Sequence, residues 1–114
     1  MKSELINFCS EMGAEASEQF LNIFSSELNT KIPQLSNLLE QGHFSEIESI
    51  VHQLKSNCRY FGFSDYADIC NEVEMLIVSG KEDQINHHIN KLVDQSDTVL
   101  SIVSHVLNDL RLAL

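Results

Sequence analysis

His52 stands among Lys55, Ser56 and Arg59 in the stretch VHQLKSNCRYFGF, Val51 to Phe63. The three neighbours follow the histidine by three, four and seven positions, so on a helix all four share one surface. Glu48 precedes it by one turn. On the same wheel Ile47, Ile50, Val51, Leu54, Cys58 and Phe61 fall within an arc of roughly 100°, the width of a core-facing stripe. His52 lies roughly 150° from the centre of that arc and is expected to face solvent. Most isolated surface histidines have no chemical role, but this one has a particular setting. A neutral imidazole is a nucleophile at neutral pH. An adjacent ammonium offers charge-assisted hydrogen bonds to phosphoryl oxygens. Ser56 is small enough to let a partner approach. These residue types suit a phosphate acceptor on a docking surface.

The elements that must hold this stretch read as helices. The chain has 114 residues, one domain by size, and is 43% hydrophobic, enough for a core. Its breakers are Gly13, Pro33, Gly42, Gly62 and Gly80. Between them apolar residues recur at helical spacing, and no run alternates like a strand. A short helix is expected over Ser3 to Met12, and a long one over Ala14 to Gln41 with Phe20, Phe24, Leu28, Leu35 and Leu39 as its stripe. Pro33 predicts a kink or break near Lys31. Ser45-Glu46-Ile47-Glu48 fits a capping box for the third helix, which should end near Gly62. Ser64 can cap the fourth, which stops at Gly80. The last begins near Glu82 and keeps its phase through Ile85, Ile89, Leu92, Val99, Val103, Val106 and Leu110. The fold class is all-α: an antiparallel four-helix bundle with a short extra N-terminal helix, the third and fourth helices forming a hairpin about Gly62.

Charge and cysteine content exclude several functions. Seventeen acidic residues oppose 7 basic ones, for a formal net charge of -10. A nucleic-acid binder needs a basic stripe to displace counterions, and the same balance disfavours an anionic membrane surface. A protein partner or a small ligand remains. No stretch approaches the ~20 apolar residues of a membrane span, and the first residues do not read as a signal peptide. A cytoplasmic location is expected. The 3 cysteines, Cys9, Cys58 and Cys70, include no CxxC, which argues against a disulfide framework or a structural zinc site. Cys58 and Cys70 fall at apolar helix positions and are expected as buried free thiols.

HQLKSNCRYFG resembles the signature of histidine-containing phosphotransfer (HPt) domains, H-x-L-K-G followed by small residues and a glycine ten positions after the histidine. His52, Leu54, Lys55 and Gly62 occupy those positions. The family's leucine-cysteine pair and following Glu or Gln are matched by Ile69-Cys70 and Glu74. Ser56 departs from the usual glycine but is still small, and Arg59 adds charge where a small residue is common. The resemblance covers about Phe20 to Gly80 directly, and the rest by helix count.

The resemblance implies a stand-alone relay protein: His52 would take a phosphoryl group from the aspartate of a response-regulator receiver domain, or of a hybrid sensor histidine kinase, and pass it to another receiver. It implies no kinase activity, no metal and no cofactor of the chain's own, since Mg²⁺ sits in the partner receiver. Lys55 is expected at the phosphoryl oxygens, and Glu74 on the second imidazole nitrogen, where it fixes the tautomer. Ser56, Arg59 and Gly62 are expected to meet the partner, as are apolar residues of the second helix, Phe20 and Phe24 foremost. A monomer is expected. The alternative is a non-phosphorylatable helical adaptor that binds and inhibits a receiver. His43, His87, His88 and His105 lack the cation-flanked setting of His52 and are read as structural or solvent-facing.

Overall fold

The computed structural model describes residues 2–113. Five α-helices follow in order: α1 (Lys2–Met12), α2 (Ala14–Gln41), α3 (Phe44–Phe61), α4 (Ser64–Val78) and α5 (Asn86–Ala113), with a 3₁₀ turn at Glu82–Gln84 before the last. Helix α2 packs along α5 and α3 along α4, and further contacts of α2 with α3 and α4 with α5 close the ring. The result is the expected antiparallel four-helix bundle with an added N-terminal helix, 47 Å long and 20 × 18 Å across.

Helix lengths explain the fifth element. At 1.5 Å per residue, α2 and α5 run about 42 Å, whereas α3 and α4 run only about 27 and 22 Å. The long pair therefore extends beyond the short pair and leaves an apolar end open. Helix α1 closes it, packing on α2, α5 and α3, with Leu5 and Cys9 buried. Phe8 stands edge-on to Tyr60 and Phe61, each at 4.9 Å between ring centroids. Phe24 joins this aromatic end through Phe61 and Phe63.

Two turns set the register. Gly42 and Gly62 adopt left-handed φ values of 71° and 87°. The residue after each glycine donates its N–H back to the carbonyl five positions earlier, His43 to Leu38 and Phe63 to Cys58, as in a Schellman ending. His43 and Phe63 then serve directly as the N-caps of α3 and α4, with no side-chain capping bond. This corrects the expected caps. Ser45 and Ser64 lie inside their helices because each tight ending leaves no separate position for a capping serine.

Other expectations are also revised. Helix α2 is not broken near Lys31 but continues through Pro33. Ile32 and Leu35, on either side of the proline, are both buried, so tertiary packing holds the two halves together against the lost hydrogen bond. The buried stripe of α2 is Leu21, Phe24, Leu28, Ile32, Leu35 and Leu38; Phe20 is exposed and Leu39 half-buried. The last α-helix starts at Asn86, after a 3₁₀ turn that sends Ile85 fully into the core. Tyr66 is buried as well, and its hydroxyl donates to the Leu92 carbonyl at 2.7 Å, tying α4 to α5. Among the described residues no helix is long and apolar enough to cross a membrane.

Candidate functional site

Val51, Leu54 and Cys58 bury one face of α3, which turns His52 outward, its side chain 61% exposed. Val73 and Ile77 bury the neighbouring face of α4 and bring Glu74 to the α3–α4 seam. There Glu74 Oε1 lies 2.8 Å from His52 Nδ1. An ionised carboxylate only accepts, so Nδ1 carries the hydrogen of this bond. The neutral ring then keeps its free lone pair on Nε2, the atom on the exposed side chain that is left for chemistry.

The other carboxylate oxygen is also engaged. Lys55 Nζ donates to Glu74 Oε2 at 2.7 Å and reaches Asn71 Oδ1 at 3.5 Å. The Lys55 and Glu74 side chains are only 16% and 17% exposed. The Lys55 hydrogen bond, assisted by the one from His52, holds the Glu74 carboxyl below the usual carboxylate range against the opposing effect of burial. The carboxylate is thus ionised and fixed at both oxygens. A shallow cleft lined by Ser45, Glu48, Ser49, His52 and Glu74 opens beside the imidazole.

Sequence-predicted residues divide into three groups. His52, Lys55 and Glu74 come together in one network. Ser56 is exposed one turn from His52, its hydroxyl donating to the His52 carbonyl at 3.3 Å. Arg59 is exposed on the same helix and stands 3.8 Å from Asp68, a loose surface pair that leaves it able to meet a partner. Two predicted contact residues serve packing instead. Phe24 is 1% exposed and belongs to the core, because it lies on the inner stripe of α2 with Leu21 and Leu28. Gly62 is half-buried beneath α1, where a Cβ would come 2.5 Å from Glu4 Cβ. Its role is to end α3 and admit α1.

Phe20 does lie at the surface, with Ile23 and Tyr60, around a cleft shared with Asn57. Tyr60 follows His52 by eight residues, about 12 Å along the helix. Sequence reasoning passed over Tyr60 and Asn71. The available signals were spacing: Tyr60 lies two turns from His52, and Asn71 one turn before Glu74. Met75 and Val78 expose a second apolar pair on α4 beside Glu74.

The remaining histidines do not join this site. His88 Nε2 pairs with Glu72 at 3.0 Å and His43 with Glu46 at 3.5 Å, while His87 and His105 are exposed. The cysteines supply no nucleophile, since all three are buried. Burial pushes the Cys70 thiol up to about 12 and raises Cys58 further.

The family model described as Hpt domain matches residues 19–110, from early α2 to near the end of α5. The curated proteins and the solved structures give no match. The matched span contains most of α2 and α5 and all of α3 and α4, with His52 and its carboxylate partner. The chain belongs to the Hpt domain family, the helical phosphotransfer modules of two-component phosphorelays.

Proposed function

We propose that the protein relays phosphoryl groups between receiver domains through His52. The Nε2 lone pair attacks the phosphorus of a receiver's aspartyl phosphate. The N–P bond forms as the P–O bond to the aspartate breaks, and the electron pair of that bond stays on the aspartate carboxylate. Nδ1 keeps its hydrogen on Glu74, whose negative charge offsets the positive charge that the ring gains when Nε2 is substituted. The reverse sequence passes the group to a second aspartate. The transition state of phosphoryl transfer is loose, so positioning and electrostatics do most of the work. The receiver supplies the Mg²⁺ and the acidic pocket; this chain supplies an aimed imidazole.

The observation that carries this reading is the bond between His52 Nδ1 and Glu74 at 2.8 Å, which leaves Nε2 as the exposed nucleophile. Phe20 and Ile23 of α2 and Tyr60 of α3 form an apolar surface where the two helices meet, on which a receiver can dock. The test is transfer from a phosphorylated, Mg²⁺-loaded receiver. Acid-labile, base-stable label on the native chain and none on His52→Gln is the expected result. Tight receiver binding without label on the native chain would replace it with the reading of a blocking adaptor.

A further inference from the structure

Resting on the relay reading and deepening it, we infer that Lys31 of α2 is a specificity-determining contact for the receiver, taking an acidic side chain of that partner. The cleft at His52 continues beyond it. Ser45 and Ser49, which line it with Glu48 and Glu74, also line a second cleft bounded by Lys31, Gln34, Glu46 and Ile50. Ser45 and Ser49 precede His52 by seven and three residues and Ser56 follows it by four, so all fall within about 60° of it around the helix. All three serines are exposed. Short side chains before and after the imidazole let a partner that reaches Nε2 lie along α3 and over its junction with α2, where Lys31 stands.

Charge selects what meets Lys31. It is the only cation of α2 and is half-buried. Lys55, Arg59 and Arg111 each pair with a carboxylate, whereas among the described residues Lys31 forms no ion pair. Glu46, the carboxylate of its cleft, pairs instead with His43 at 3.5 Å. A chain of net charge -10 repels an acidic partner over most of its surface, and this cleft offers one a cation with no internal competitor. A receiver with a basic residue at that place meets like charge, so the lysine rejects as well as attracts.

The other end of the same α2 face is apolar. Phe20 lies eleven residues before Lys31, about 16 Å along the helix and within about 20° around it. From α3, Asn57 and Tyr60 line the cleft of Phe20, whereas Ser45 and Ser49 line that of Lys31. Along α3 the imidazole thus stands between an apolar end and a cationic end. A standard interface covers about 800 Å² of each partner, a disc about 30 Å across, and reaches both. Two chemically unlike ends admit the receiver in one direction.

The test measures binding with transfer removed. In a His52→Gln background, a Mg²⁺-loaded receiver, the tightest binder of a purified panel, is titrated calorimetrically into the parent chain, Lys31→Glu and Lys31→Met. Lys91→Glu on α5 makes the same change of net charge away from α3 and serves as the control, and thermal melts confirm that each variant is folded. Lys31→Glu should weaken binding roughly five- to tenfold at low salt and far less at high salt, Lys31→Met about twofold, and Lys91→Glu hardly at all. Replacing exposed acids of the receiver with lysine, one at a time, should yield one variant that prefers Lys31→Glu to the parent. Parent-like affinity of Lys31→Glu overturns the inference. So does an equal loss in Lys91→Glu, which would make the effect one of net charge, or a loss that no lysine in the receiver relieves. Binding that depends on Lys31 without label on the native chain would sink the relay reading and leave this contact standing as that of a blocking adaptor. Binding by no receiver overturns both.

Discussion

His52 and Glu74 are 22 residues apart in the chain, yet Nδ1 and Oε1 meet at 2.8 Å across the seam between α3 and α4. The two helices are joined by a tight turn, so their register is fixed by the backbone and by the buried faces behind the pair. Glu74→Ala therefore leaves the bundle folded and releases the ring. Acceptance of phosphoryl groups should fall roughly 10- to 100-fold, whereas Glu74→Gln, which still offers an oxygen to Nδ1–H, should lose less. Rates of labelling from a phosphorylated receiver, with far-UV circular dichroism as a control of folding, check both. Equal losses for the two variants would count against orientation as the role of Glu74.

Acid should loosen the Lys55–Glu74 bridge. The folded-state pKa of Glu74 is depressed, so its contribution to stability is complete above the ordinary carboxylate range. That contribution is lost as pH falls through the native value. Thermal melts of native protein and Glu74→Gln at pH 7 and at successively lower pH should show a melting-temperature gap that narrows toward zero in acid. A gap that widens as pH falls contradicts the sign.

Phe20 and Ile23 are exposed and lie outside the buried core, beside the exposed Tyr60. Replacing Ile23 with Asp should therefore leave the melting temperature close to native and weaken receiver binding by about tenfold, a loss of about 1.4 kcal/mol. Phe24→Ala should behave in the opposite way. It empties a core position, costs about 3 kcal/mol or more, and affects binding only through folding. Calorimetric titration of a receiver alongside thermal melts separates the two.

Gly62 and Gly80 both have left-handed backbones, but only Gly62 meets a neighbour: a Cβ there approaches Glu4 Cβ to 2.5 Å, whereas nothing lies within 4 Å of one at Gly80. Gly80→Ala should cost about 1 kcal/mol for its backbone conformation alone. Gly62→Ala adds the displacement of α1, for a total of roughly 2–4 kcal/mol. Urea unfolding of the two variants makes the comparison, and equal costs would show that α1 yields without penalty.

The sequence by itself determined the helical class, the number of helices, the outward direction of His52 and the burial of Cys58 and Cys70. These follow from local period, because a stripe of apolar residues on α3 fixes which residues face away. His52, Leu54, Lys55 and Gly62 also sufficed to reveal the family likeness. The tertiary structure decided what period leaves open. Phe20 and Leu21 are adjacent apolar residues, and only the direction from which α5 packs on α2 makes Leu21 core and Phe20 surface. Ser45 and Ser64 have the chemistry of helix caps, but the tight endings at Gly42 and Gly62 hand that position to His43 and Phe63. Lys55 has a long, flexible side chain with several acceptors within its reach. Its settling on Glu74 and Asn71 depends on the register of α3 against α4, a long-range relationship that no local spacing encodes.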